Sequence, residues 1–163
     1  KFLKDNNIKG IKLHPDFQHF AFDDKRMMDF YGFLAEEHMF LLTHSGDHRY
    51  SFSNPDKVAD VAKRFPKLKI VIAHPFYGKD YLNVLGLVKT YENLHLDLSG
   101  SGLMAYGMVR YGLDTVGKDK ILFGTDFPGY NPQMYVSAVA YEKLTDAELE
   151  AVYHENAERL LGL

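Results

Sequence analysis

The stretch ILFGTDFP, Ile121 to Pro128, begins as a buried strand and then sets a carboxylate, Asp126, between Thr125 and Phe127. An acid at the end of an apolar strand calls for a chemical reason. Four other runs share this build: IKGIKLHP (8–15), FLLTHSG (40–46), KIVIAHP (69–75) and LHLDLSG (94–100). Each is stopped by Gly, Pro or a polar cluster, and they recur about every 25 to 30 residues, the period of a strand plus a crossover helix. Alternation of this kind predicts an α/β chain, a parallel sheet with helices packed outside it.

The intervening segments carry helical patterns. Residues 23–38 place Met27, Phe30, Tyr31 and Leu34 at helical spacing, and Pro55 stands at a first helical position ahead of Val58, Val61, Ala62 and Phe65. Residues 81–91 and 103–114 also read as helices, although both contain glycine. Two more helices are expected after the fifth strand, and in the second Thr145 and Glu148 have capping-box spacing. The opening KFLKDNNIKG reads as the end of a helix running through an Asn-rich turn into a strand, so the chain is expected to begin partway through a larger protein.

Composition bounds the function. The 163 residues are 46% hydrophobic and 14% aromatic, enough for one sizeable core, and no apolar run is long enough to span a membrane. A net charge of −3 with interspersed signs offers no basic stripe for phosphates, which argues against a nucleic-acid partner. The absence of cysteine excludes disulfides and thiolate metal sites. A cytoplasmic protein acting on a small molecule is the expectation.

Four of the five runs end in an ionisable residue beside a turn: His14, His44, His74 and Asp126. The other places Asp97 and Ser99 there, with Asp97 suited to cap the turn before Gly100. In parallel sheets the C-terminal strand edge is where side chains from several strands converge into active sites. Period-2 alternation puts His44 on the face of Leu42, His74 with Ile72, and Asp126 with Gly124 and Leu122. In LHLDLSG, leucines 94, 96 and 98 face one way and His95, Asp97 and Ser99 the other. Histidines and a carboxylate on separate strands can surround a divalent cation, and three such ligands with an open position describe a catalytic zinc site that lowers the pKa of bound water to roughly 7. Asp126 could then bind the metal, accept the proton, or both. Any one of these histidines could equally cap a turn; the matched set points to chemistry. Lys12 and His14 share a face of the first run and serve either barrel packing or contact with substrate or metal. Arg110 is a second possible anion partner. The remaining histidines lack this context, with His38 and His154 expected on helices, and Tyr106, Tyr111 and the Met27-Met28 pair read as core.

Taken together, GIKLHPDF, LLTHSG, IVIAHP, LDLSG, ILFGTDFP and the closing NAERLLGL resemble the C-terminal part of the amidohydrolase-related family of TIM-barrel metal-dependent hydrolases, which also includes decarboxylases and hydratases. The resemblance implies that the five runs are strands four to eight of a (β/α)₈ barrel. It implies His44 as the strand-five metal ligand and His74 as the strand-six histidine, which binds a second metal in some members and acts on substrate in others. Asp126 would be the strand-eight ligand and proton acceptor. Lys12 falls near the strand-four position that holds a bridging carboxylate or carboxylated lysine in binuclear members. One or two divalent ions, zinc above all, are the implied cofactor. Family members also place a His-x-His pair at the end of strand one, and none of the eight histidines here is so spaced. A whole barrel runs to about 250 residues. Three N-terminal units are therefore expected elsewhere, and the chain alone is expected to be inactive and to pair with that portion or with itself. The implied activity is attack of metal-activated water on a small carbonyl or carboxylate-containing substrate. A lyase on the same scaffold and an inactive truncated barrel are the rival readings.

Overall fold

The computed structural model describes residues 2–46, 50–74, 81–100 and 105–163. Five strands, β1 (Gly10–Leu13), β2 (Phe40–His44), β3 (Ile70–Ala73), β4 (Leu94–Asp97) and β5 (Ile121–Leu122), form one parallel sheet in the order β1-β2-β3-β4-β5. All five expected strands are present. Their ends are shorter than the runs suggest, since β3 stops at Ala73 and β5 at Leu122. Pro75, taken as the stop of the third run, lies outside the described residues.

Register divides the sheet into two faces. Thr43 pairs with Ile72, Ile72 with Leu96, and Leu96 with Ile121, all fully buried. Except for Thr43 these belong to the core cluster, which also holds Leu34, Val58, Val61, Leu85, Val88, Val109 and Leu113 from the helices. The other face pairs Lys12 with Leu42, Leu42 with Val71, Val71 with His95, and Asp97 with Leu122. The apolar side thus meets the helices and the polar side is the inner wall of the arc, as the leucine pattern of LHLDLSG predicts.

The helices are α1 (Phe2–Asp5), α2 (Pro15–Gln18), α3 (Met28–Glu36), α4 (Pro55–Arg64), α5 (Tyr81–Thr90), α6 (Met108–Val116), α7 (Pro132–Tyr141), α8 (Asp146–Glu150) and α9 (Asn156–Leu161). Their starts follow local chemistry. The Asn54 side chain accepts the Asp56 N–H with Pro55 in the first turn of α4, and Thr145 and Glu148 form the expected capping box on α8. A π-helical segment, Ala151–Glu155, joins α8 to α9. The helix expected from Leu103 begins at Met108; Leu103 and Met104 lie outside the described residues. His38 sits beyond α3 with a φ of 54°, in a turn rather than on the helix. His154 is helical and lies between Glu150 and Glu158. Tyr106 and Tyr111 are not core: they are 63% and 47% exposed.

His95 marks the end of the inner wall opposite the strand C-termini, in a recess with Lys69, Glu92, Asp119, Lys120 and Arg159. Burial first, then the positive charges of Lys120 and Lys69, push its pKa from the usual 6.5 down to about 4. Its Nδ1 is buried without a partner among the described residues. The unfolded chain therefore binds a proton here that the folded chain refuses, so the stabilisation is present above pH 6.5 and is lost as pH falls through 4. Urea midpoints measured across that window should drop as the solution is acidified, and the drop should be shallower for His95→Gln.

Candidate active site

At the C-terminal edge of the sheet, Lys12 from β1, His44 at the end of β2, and His74 and Asp126 just past β3 and β5 line one cavity of about 450 Å³ with His14, Phe17, Gly100 and Tyr130. All five residues expected at the site share it. Their routes into it differ. Lys12 and His44 point inward by strand alternation, because each stands beside an inner-wall residue, Leu42 and Ala73. His74 does not follow alternation. Ile72, its partner in parity, faces the helices, so strict extension would bury His74 there. Instead His74 takes a φ of 63° and Asp126 a φ of 58°. Left-handed backbone is costly for residues with a Cβ and clusters at functional positions.

His14 precedes α2, and its Nδ1 accepts the Phe17 N–H at 3.4 Å. The neutral ring therefore carries its proton on Nε2 and can donate from there. It is stacked between Phe17 at 4.0 Å and His44 at 4.1 Å between ring centroids. His44 is in turn 5.3 Å from the His74 ring. Burial first, then His14, His74 and Lys12, push the His44 pKa from 6.5 down to about 4. The ring is thus neutral at pH 7, the form that ligates metals, and its Nδ1 is buried without a hydrogen-bond partner among the described residues. Burial lowers the Lys12 pKa, while Asp97 and Asp126 oppose the shift. Lys12 therefore lies within electrostatic reach of both acids. Burial likewise lowers that of His14, with Asp16 opposing.

The donor chemistry of His44 and Asp126 suits a divalent cation, a neutral imidazole and a carboxylate. Among the described residues no group of three or more His, Cys, Asp or Glu side chains is disposed to hold a metal ion.

Asp97 does cap its turn, its Oδ1 accepting the Ser99 N–H at 3.0 Å. Arg110 is not an anion partner of the cavity: its guanidinium donates to Glu148 at 2.8 Å and to Asp114 at 2.7 Å. Asp16 escaped sequence reasoning. It is 1% exposed, neither carboxylate oxygen has a partner among the described residues, and its charge raises the pKa of both His14 and His44. Its position one residue past the run's proline gave no signal.

The family model described as amidohydrolase matches residues 1–163, the whole sequence. The chain belongs to the amidohydrolase family. A TIM-barrel protein from Bordetella bronchiseptica is similar in structure with a TM-score of 0.86 at 21% identity, covering 99% of this chain and 59% of that one. A dihydroxybenzoic acid decarboxylase from Polaromonas sp. JS666, with bound manganese and the inhibitor 2-nitroresorcinol, has a TM-score of 0.65 at 15% identity over 88% of this chain and 55% of that one. A protein from Pseudomonas putida assigned as a 2-pyrone-4,6-dicarboxylic acid hydrolase has a TM-score of 0.71 at 13% identity over 99% and 66%. No curated protein matches the sequence. At these identities the likeness is one of fold: the five parallel units are an arc of a TIM barrel, and this amidohydrolase chain spans a little over half the length of the Bordetella protein. No helix among its described residues is long and apolar enough to cross a membrane.

Proposed function

We propose that this chain carries the strand-four to strand-eight half of the active site of a metal-dependent hydrolase acting on a small carbonyl or carboxylate-containing substrate. The observation that carries the reading is the convergence of Lys12, His14, His44, His74 and Asp126 on one cavity at the C-terminal edge of the sheet. His44, through a buried nitrogen with no other partner, and Asp126 would hold a divalent cation, zinc in this reading, with further ligands from the remaining wall of the barrel. A second ion could be held at His74. Such an ion lowers the pKa of coordinated water and polarises a substrate oxygen. Asp126 accepts the proton of the attacking water and returns it to the leaving group, so that water is added across the scissile bond. His74 orients the substrate. Lys12 and the Nε2–H of His14 donate to an anionic oxygen of the substrate.

A second reading, decarboxylation on the same scaffold, draws on the pairing of Lys12 and His14 as carboxylate partners, and on the manganese-bound decarboxylase of similar fold. Isotope tracing separates the two. With the assembled protein reconstituted with zinc and supplied with panels of lactones, amides and carboxylated phenols, hydrolysis should place ¹⁸O from labelled water in the product. Release of CO₂ without solvent oxygen in the organic product would establish the lyase instead, and turnover of neither panel would remove support for both.

Among the described residues no further strand pairs with β1 or β5, so the sheet has two edges. Unpaired edge groups and a part-open inner wall favour pairing with other strands. The assembled form is therefore proposed to be a complex, either with the rest of a barrel or with a second copy of this chain. Light scattering coupled to size exclusion should give a mass above 18.7 kDa; an active species of that mass would contradict this.

A further inference from the structure

Ser99 and Asp97 lie within hydrogen-bond reach of His74 and of each other. The Ser99 Oγ is 2.6 Å from Asp97 Oδ1 and 3.1 Å from His74 Nδ1. Asp97 Oδ1 also receives the Ser99 N–H at 3.0 Å and the His74 N–H at 3.4 Å. Three donors on one oxygen make it an acceptor throughout, so the single hydroxyl proton of Ser99 points to Asp97. Towards His74 the hydroxyl can then only accept, which puts the imidazole proton on Nδ1. Among the described residues no side chain or backbone group bonds Nε2.

Two glycines close the space around this chain of bonds. A Cβ at Gly100 would fall 2.3 Å from His74 Nδ1, and one at Gly124 would fall 3.2 Å from Asp97 Cγ and from Ser99 Cβ. The ring is therefore held on its Nδ1 side by a buried hydroxyl and stands in the space that a Cβ at residue 100 would take. Asp97 and Ser99 are 8% and 4% exposed, and Ser99 lies 25 residues from His74 in sequence, so the contact is built by the fold.

We propose that Ser99 and Asp97 are positioning residues for the reaction, locking His74 as its Nδ1–H tautomer and presenting the Nε2 lone pair to the cavity. The inference rests on the reading of His74 as the group that meets substrate, and it specifies how: an approaching atom must offer a proton or an electrophilic centre to Nε2. It also specifies that Ser99 acts through the histidine and not on substrate. The arrangement follows the general rule that the hydrogen bond at one ring nitrogen sets the chemistry of the other.

The tautomer can be read directly. Long-range ¹H–¹⁵N correlation spectra of ¹⁵N-histidine-labelled full chain, treated with chelator so that no ion enforces the tautomer, should show His74 with a protonated Nδ1 and an unprotonated Nε2 at about pH 8, where a histidine is neutral. Ser99→Ala should lose this signature, the two ring nitrogens moving together as the tautomers mix, and Ser99→Thr should restore it. Backbone amide spectra with native dispersion in all three proteins establish that each is folded; should Ser99→Ala unfold, Ser99→Thr and the wild type still decide. A protonated Nε2 in the wild type, or a tautomer unmoved by Ser99→Ala, would overturn the proposal. Because the readout needs neither metal nor turnover, failure of the hydrolase reading would leave it standing, and its own failure would leave metal binding and hydrolysis intact.

Discussion

Replacing His44 or Asp126 by alanine is expected to weaken divalent-metal binding at least about 100-fold in the assembled protein, since loss of even an outer-shell partner costs 10–100-fold. His44 is already neutral at pH 7, with a pKa near 4, so no proton competes with the ion there. Its Nδ1 bonds nothing else among the described residues. Elemental analysis after zinc-supplemented purification should find about one to two ions in the wild type and nearly none in either variant. Equal, near-zero metal in all three would contradict the assignment. His14→Ala should retain the ion while losing the stacked support of His44, because its Nδ1 is committed to the Phe17 N–H.

Gly100→Ala is expected to be strongly destabilising. At a φ of 74° an L-residue carries about 1–2 kcal/mol of strain, and the added Cβ would meet His74 Nδ1 at 2.3 Å. Overpacking of a tight site adds about 1–3 kcal/mol. Denaturant unfolding should show a total loss of about 2–5 kcal/mol. Gly86 provides the control: a Cβ there meets nothing within 4 Å, and the same substitution in the middle of α5 should be neutral or stabilising. Similar losses at both positions would show that the crowding at His74 is not as described.

The strands, their order along the chain and the membership of the cavity were legible because each depends on local pattern. An apolar run closed by Gly or Pro announces a strand end, and ionisable residues at several such ends announce a shared edge. What escaped depends on contacts between distant segments. Arg110 looked free until Glu148, 38 residues on, was seen to hold it. Tyr106 and Tyr111 read as core in the sequence but stand at the surface. Period-2 reasoning put His74 at the site for the wrong reason. Its parity assigns it to the helix-facing side with Ile72, and a left-handed turn of the backbone brings it to the cavity. The same turn ends β3 at Ala73, which is why the strand is shorter than its apolar run. Ser99 was visible only as a polar residue on the inner face, since its bond to His74 crosses from one strand end to the next.

In the proposed site His44 and Asp126 lie on one divalent ion at the C-terminal edge of the sheet, with His74 facing it. Anomalous diffraction from crystals of the assembled protein grown with manganese tests this directly. A peak is expected within ligand distance, about 2.0–2.2 Å, of a His44 ring nitrogen and an Asp126 carboxylate oxygen. A peak elsewhere, or none at this edge with the ion in excess, would contradict it.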